Sequence, residues 1–180
     1  MAVDPEPARG EDDTGTTRQA PLPWAVVDLD GVVADVTHRV HHVSGRPKDW
    51  GAFFGAAGAD PVLPEGQAVV AELAGGHDIV YLTGRPDYLR RTTTSWLRRH
   101  GLPDGHLIMR RRGDFRPARV AKVEALRRLA EERPVRVLVD DDAEVVEAAR
   151  AAGFEVLHAD WAPGSSRRAM REAQERDGRT

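Results

Sequence analysis

Short apolar runs alternate with helical segments along most of the chain, and this alternation limits the fold more than any other feature of the sequence. Five runs are typical of buried strands, and they lie at residues 25–29, 78–82, 106–109, 135–139 and 154–157. The segments between them carry helical spacing of apolar residues or end in glycine. Parallel strands need a crossover that is usually helical, so the pattern predicts an α/β fold with a parallel sheet and helices on both faces.

The alternating pattern fits one domain with a polar segment at each end. Residues 1–22 are acidic and proline-rich and predict a disordered tail, whereas residues 163–180 predict a polar helix or tail. Residues 23–162 hold the strands and helices. No apolar run approaches the roughly 18 residues of a membrane span, and no secretory signal precedes the pattern, so we expect a cytoplasmic protein. The absence of cysteine excludes disulfides and thiol catalysis.

Polar side chains follow three of the predicted strands, at the point where each strand ends. These residues are Asp28 and Asp30, Thr83, and Asp140 and Asp141. In open α/β sheets, ligands bind beyond the carboxyl ends of the strands. The sequence therefore predicts one crevice that gathers side chains from three separate segments.

Several carboxylates in one crevice require a positive partner. Close acidic groups raise one another's pKa values, and a hard divalent cation such as Mg²⁺ removes that repulsion and also takes a substrate phosphate as a ligand. Lys48 and Lys122 are the two lysines among 26 basic residues, which favours a specific role for Lys122 beside a phosphate. A carboxylate can attack phosphorus to form an aspartyl-phosphate, and a second carboxylate two residues later can act as general acid and base.

Four motifs in order resemble those of the haloacid dehalogenase superfamily of phosphohydrolases. They are Asp28-Leu29-Asp30-Gly31-Val32, Thr83-Gly84-Arg85, Lys122 and Val137-Leu138-Val139-Asp140-Asp141. The resemblance implies the Rossmann-like fold of that superfamily, with a small helical cap inserted after the first strand at residues 34–62. It also implies a phosphatase with Mg²⁺ as its cofactor.

The same resemblance implies a role for each matching residue. Asp28 is the expected nucleophile, and Asp30 is the expected acid and base, with its backbone carbonyl on the metal. The expected catalytic residues are Asp28, Asp30, Thr83 and Lys122. The expected metal ligands are Asp28, Asp30, Asp140 and Asp141. The expected substrate-binding residues are Gly84, Arg85 and Arg116.

A narrower resemblance concerns the arginine-rich segment before Lys122. Residues 110–116, together with Val120 and Lys122, are similar to the 3′-phosphatase domain of bacteriophage-type polynucleotide kinase/phosphatase. No Gly-rich loop ending in Gly-Lys-Ser/Thr is present, so we expect the phosphatase portion alone. The resemblance implies a nucleic-acid or nucleotide phosphate as substrate. A small phosphorylated metabolite or mononucleotide is the alternative, followed by a non-catalytic phosphate-binding module.

Several side chains allow two interpretations from sequence alone. Arg85 either pairs with a buried acid or contacts substrate, and Asp142 is expected to cap a helix rather than bind metal. Three aromatic residues of the predicted cap favour a small core over a base-stacking platform; they are Trp50, Phe53 and Phe54. Three histidines with metal-like spacing are expected to form a polar cap face; they are His38, His41 and His42.

Overall fold

The computed structural model describes residues 20–164 and Met170. The predictions for the tail at 1–22 and for the segment at 163–180 fall mostly outside these residues. The strands are β1 (Trp24–Val27), β2 (Asp78–Pro86), β3 (Gly105–Arg110), β4 (Val135–Asp140) and β5 (Val156–His158). The helices are α1 (His41–Ser44), α2 (Trp50–Gly55), α3 (Pro64–Ala74), α4 (Arg90–Arg99), α5 (Ala118–Glu132) and α6 (Ala143–Ala151).

The five strands form one parallel sheet in the order β3-β2-β1-β4-β5. β1 lies in the middle, where Val26 is in register with Val80 of β2 and Leu138 of β4. A central strand covered on both faces needs apolar side chains at every position, and all four residues of β1 are buried. The predicted parallel α/β sheet is confirmed.

Two apolar clusters on the two faces of the sheet hold the helices in place. Ala25 and Val27 face a cluster that includes Val70 of α3 and Trp96 of α4. The intervening residues of β1 face a second cluster, formed with α5 and α6, whose buried members include Leu126 and Val145. Because successive strand residues point to opposite faces, four apolar residues in a row supply both layers.

The segment between β1 and α3 forms a small helical unit at one end of the sheet. It contains α1, α2 and a 3₁₀ turn at Ala56–Ala59. The side chains of Trp50, Phe53 and Phe54 are at most 7% exposed and pack with Leu89 and Met109. The sequence interpretation of these rings as a small core is confirmed.

β2 is longer than the sequence predicted. Its pairing with β3 shifts register between Thr83 and Pro86, which marks a bulge. Pro86 ends the strand, and a 3₁₀ turn at Asp87–Leu89 leads into α4. A bulge at this end of the strand re-aims the side chains that follow Thr83.

α3 lies directly against the turn that follows β1. A Cβ added to Gly66 would lie 1.9 Å from the carbonyl oxygen of Val32, so only glycine permits this approach. No helix among residues 20–164 has the length and apolar character that crossing a bilayer requires.

Candidate active site

Asp28 and Asp140 lie side by side because β1 and β4 are neighbours in the sheet. The backbone N–H of Asp28 donates to the carbonyl of Val139 at 2.9 Å, which continues the ladder by one residue beyond β1. Asp140 is the last residue of β4. The carboxyl ends of the two strands thus bring carboxylates separated by more than a hundred residues to one place.

Lys122 connects the two carboxylates from the middle of α5. Its Nζ lies 2.9 Å from Oδ2 of Asp28 and 2.7 Å from Oδ2 of Asp140. The side chain is buried, so it is not a surface lysine that extends its ammonium group into water. Burial acts to lower the pKa of Lys122, but Asp140 and Asp28 hold it above its ordinary value, and the ammonium group stays charged.

Asp141 completes a group that we call the metal-facing cluster: Asp28, Lys122, Asp140 and Asp141. One carboxylate oxygen from each of the three aspartates lies within 4.8 Å of the others. Burial raises the pKa of Asp28 to about 7, against the attraction of Lys122 and with the repulsion of Asp140. Burial and the neighbouring carboxylates also raise the pKa of Asp141 well above its ordinary value. The cluster holds three acids and one cation.

The donor set of this cluster fits a hard divalent cation. Oδ1 of Asp28 is buried and has no hydrogen-bond partner among the described residues. A buried oxygen without a donor is costly, and a cation would satisfy it. Oxygen ligands from a few carboxylates are the ligand type that Mg²⁺ prefers. The side chain of Asp30 is outside this group.

Gly31 shapes the turn between Asp28 and the rest of the site. Its φ of +86° lies in the left-handed region, and a Cβ there would lie 2.2 Å from Oδ2 of Asp141. Any other residue would displace the carboxylate of Asp141. Asp142 caps α6 by accepting from the N–H of Glu144 at 2.9 Å, which confirms the capping prediction.

The carboxylate of Asp30 belongs to a second group, which we call the arginine cluster: Asp30, Arg39, Asp60 and Arg85. Oδ1 of Asp30 accepts from Nη2 of Arg39 at 2.8 Å and from Nε of Arg85 at 2.9 Å. Both guanidinium groups also donate to Oδ2 of Asp60 at 2.7 Å. Two acids and two cations thus pair in a buried square.

In the arginine cluster, the balance of charges lowers the pKa of Asp30, whereas the pKa values in the metal-facing cluster are raised. Burial alone would raise the pKa of Asp30, but Arg39 and Arg85 hold it below its ordinary value. Asp30 is therefore ionised in the folded chain. Arg85 pairs with buried acids, and its Nη1 is buried without a partner among the described residues.

Sequence reasoning missed Arg39 and Asp60. Both are almost fully buried, and Asp60 also accepts from His38, whose Nε2 lies 2.7 Å from Oδ1. Arg39 and Asp60 are 21 residues apart in the chain, so no local sequence pattern indicates that they pair. His41 and His42 stack on each other and belong to no group of metal-ligating side chains in the described part of the chain.

Thr83 and Gly84 lie at the bulge of β2, where two clefts meet. Thr83 is buried, and its Oγ1 accepts from the N–H of Arg85 at 3.2 Å. A cleft of about 390 Å³ is lined by Thr83, Lys122 and Arg116. A smaller cleft of about 220 Å³ lies toward α2, and Gly84 lines both.

Arg116 is held by carboxylates of its own region. Its guanidinium donates to Asp114 at 2.8 and 2.9 Å and also to Glu124. These bonds hold the pKa of Asp114 at about 2. The structure therefore places Arg116 beside the larger cleft with its charge already paired, and its contact with substrate stays a prediction.

Comparisons with known proteins agree with this geometry. The family model described as the polynucleotide kinase PNKP phosphatase domain matches residues 23–162. No curated protein sequence matches the chain.

Solved structures give the same result for the fold. A chain of the Pnkp1/Rnl/Hen1 complex is 24% identical with a TM-score of 0.62, and the match covers 86% of this chain and 52% of that one. A chain of the Pnkp1/Rnl/Hen1 RNA repair complex is 25% identical with a TM-score of 0.60, covering 81% and 46%. A haloacid dehalogenase-like hydrolase from Streptococcus pneumoniae is 13% identical with a TM-score of 0.51, covering 81% and 89%. The chain thus spans about half the length of the first two.

Proposed function

The chain belongs to the family of the polynucleotide kinase PNKP phosphatase domain, and from this membership we propose a Mg²⁺-dependent phosphomonoesterase that acts on a nucleic-acid 3′-phosphate through an aspartyl-phosphate. That it is a phosphatase of the haloacid dehalogenase type follows from the family itself. What we propose beyond the family is the use of Mg²⁺, the aspartyl-phosphate intermediate and the nucleic-acid substrate.

One observation carries the proposal: Oδ1 of Asp28 is buried and has no hydrogen-bond partner within the described part of the chain, and it lies beside Lys122 and two further aspartates. Asp28, Asp140 and Asp141 would hold Mg²⁺ with the backbone carbonyl of Asp30. Bound there, Mg²⁺ would draw negative charge away from the carboxylates and the phosphoryl oxygens.

The first chemical step forms a bond between an oxygen of Asp28 and phosphorus while the ester bond to the leaving oxygen breaks. Lys122 faces the nucleophile and supplies positive charge for the phosphoryl oxygens. Thr83 offers a hydroxyl from the bulge, and Nη1 of Arg85, which has no partner among residues 20–164, is a further buried donor. The leaving oxygen needs a proton, and in our proposal the protonated form of Asp30 supplies it.

The second step returns the enzyme to its starting state. Water attacks phosphorus, the bond to Asp28 breaks, and Asp30 takes the proton that water loses. The two arginines lower the pKa of Asp30, so its carboxylate is ionised when it meets the water, but it is a weaker base than an ordinary aspartate and little of the protonated acid is present for the first step. The products are phosphate and a free hydroxyl.

Asp28→Asn tests the nucleophile. We expect turnover of a 3′-phosphorylated oligonucleotide to fall at least about 10³-fold, measured as phosphate release in Mg²⁺, and the wild-type rate to collapse in a chelator. Asp78→Asn is the matched control, because Asp78 pairs with Arg133 at the opposite end of β2. Full activity of Asp28→Asn would refute the proposal.

Asp30→Asn tests the proton transfer. We expect a loss of 10²-fold or more on an alkyl phosphate, on the usual scale for general acid–base catalysis. The loss should be smaller on p-nitrophenyl phosphate, because that leaving group departs without a proton. Equal losses on the two esters would argue against Asp30 as the proton donor.

The substrate preference rests on the arginine-rich loop beside the site and on the family description. A polynucleotide substrate should be used faster than a free nucleotide, and its use should weaken with added salt. No preference and no salt effect would favour the alternative, a phosphatase of mononucleotides or small metabolites.

A further inference from the structure

The smaller cleft beside the candidate active site has an aromatic lining that the proposed chemistry does not use. Buried Trp50 and Phe54 contribute to one side of it. Tyr88 and Phe115 line it as well, although these residues are 59% and 60% exposed. Single exposed rings are common on protein surfaces, but two in one cleft above an apolar floor mark a binding surface.

The two exposed rings belong to separate segments of the chain. Tyr88 lies in the 3₁₀ turn that follows β2, and Phe115 lies in the loop between β3 and α5. They share the cleft with Gly84, the residue directly after Thr83. The cleft is therefore continuous with the end of β2 that presents Thr83 to the phosphate.

The loop that carries Phe115 is braced on both sides of that residue. Arg110 Nη1 donates to the carbonyls of Asp114 and Arg116 at 3.2 and 2.7 Å. The side chains of Asp114 and Arg116 are also paired with each other. A ring on such a loop loses little conformational freedom when it binds, which favours affinity.

The charge around the cleft fits an anionic, ring-bearing ligand. Arg111 and Arg112 line it and are exposed, whereas Asp114 is neutralised by Arg116. Asp87 lies next to these arginines, and its Oδ2 accepts from the N–H of Arg112 at 3.4 Å. Aromatic rings next to arginines are the combination that binds single-stranded nucleic acid by base stacking.

We propose that this cleft holds the terminal base of the strand whose 3′-phosphate meets Asp28, with Tyr88 and Phe115 as the stacking rings. The volume of about 220 Å³ lies below the roughly 300–1,000 Å³ of pockets for drug-sized molecules, so it suits a single base. Stacking depends on a ring face that every base has, so the site selects for a base without reading its sequence. The inference rests on the proposed function, because base and phosphate belong to one substrate.

The test compares two oligonucleotides of equal length that carry a 3′-phosphate, one with its terminal base and one ending in an abasic sugar. For the wild-type chain, we expect kcat/KM to be about 5- to 150-fold higher with the base. Tyr88→Ala and Phe115→Ala should each lose most of that advantage and change the abasic substrate less than twofold. Tyr88→Phe should keep the advantage.

Leu157→Ala is the control, because Leu157 is exposed on β5, at the opposite edge of the sheet from β3. A mononucleotide 3′-phosphate provides a further arm, and the same loss in the variants there supports stacking of the terminal base. A loss confined to the longer substrate would overturn that assignment, because the rings would then act on an upstream base.

The two proposals fail in different ways. Equal use of both oligonucleotides by the wild type, or equal losses on both by the variants, overturns the stacking site and leaves the phosphatase intact. If the wild type releases phosphate from neither oligonucleotide in Mg²⁺, the proposed substrate class fails together with the stacking site.

Discussion

The metal-facing cluster and the arginine cluster are adjacent, yet they solve the problem of buried charge in opposite ways. Asp28 and Asp30 are two residues apart, and each belongs to one of the two groups. The first group sets three acids against Lys122, and its acids have raised pKa values. The second pairs two acids with two arginines, and the pKa of Asp30 is lowered.

The two clusters differ in whether the protein supplies enough positive charge for the buried carboxylates. The arginine cluster has it, and the metal-facing cluster needs a further positive charge. In the arginine cluster every carboxylate faces a guanidinium, so the protein itself neutralises the buried acids. In the metal-facing cluster an excess of two negative charges remains when all three carboxylates are ionised, and a divalent cation would cancel it. The unbalanced negative charge is therefore specific to the metal-facing cluster. In the neighbouring arginine cluster, the same chain pairs each buried carboxylate with a guanidinium.

The largest expected effect comes from breaking the balanced cluster. Asp60→Asn leaves two buried guanidinium groups with one carboxylate, and we expect the free energy of unfolding in urea to fall by about 3–5 kcal/mol. Asp114→Asn breaks an ion pair whose arginine is half exposed, and it should cost about 1 kcal/mol or less. Similar losses for the two variants would show that the arginine cluster contributes no more than a surface pair.

The opposite sign is expected in the metal-facing cluster. In a chelator at pH 8, Asp28→Asn should raise the free energy of unfolding by at most about 4 kcal/mol, because it removes a buried charge that Lys122 compensates only in part. The pKa of Asp28 is higher in the folded chain than in the unfolded chain. Its contribution to stability is therefore present below about pH 4 and lost as the pH rises through about 7.

Urea unfolding of wild type and Asp28→Asn across pH 3 to 8 checks this sign. The two curves should meet near pH 3 and separate as the pH rises, with the variant the more stable. Added Mg²⁺ should stabilise the wild type more than the variant. A variant that is less stable than wild type at pH 8 without metal would contradict the charge excess.

The smallest effect is expected at the edge of the arginine cluster. His38 contacts buried Asp60, but its own side chain is 37% exposed and water screens it. His38→Gln should lower the free energy of unfolding by less than about 1 kcal/mol, measured by the same urea titration. A loss as large as that of Asp60→Asn would make His38 a full member of the cluster.

The sequence was most informative where a general rule relates positions in the chain to positions in the fold. Strand runs such as 135–139 are followed by aspartate, and parallel strands bring their carboxyl ends together, so the meeting of Asp28 with Asp140 could be predicted. Lys122 was identifiable as one of two lysines in an arginine-rich chain. The end of β2 was predicted less well, because a bulge depends on pairing with β3 and leaves no clear local signal.

The arginine cluster could not be predicted because its partners come from irregular segments. Asp60 lies after a 3₁₀ turn, and its bonds reach Arg39 and Arg85, 21 and 25 residues away. Neither periodicity nor spacing encodes such a contact. The exposed rings of Tyr88 and Phe115 are also a product of tertiary structure, since from sequence an aromatic residue is expected to be buried.

The arginine cluster also ties the segment between β1 and α3 to the sheet. Arg39 and Asp60 lie near the two ends of the 34–62 insertion, and both are bonded to residues of the sheet ends. The indole of Trp96 adds a third tie by donating to the carbonyl of Asp60 at 2.7 Å. A flap that swings open would have to break these buried ion pairs at both ends. The segment is therefore fixed at both ends, and the substrate we propose would reach Asp28 past a wall that does not swing aside.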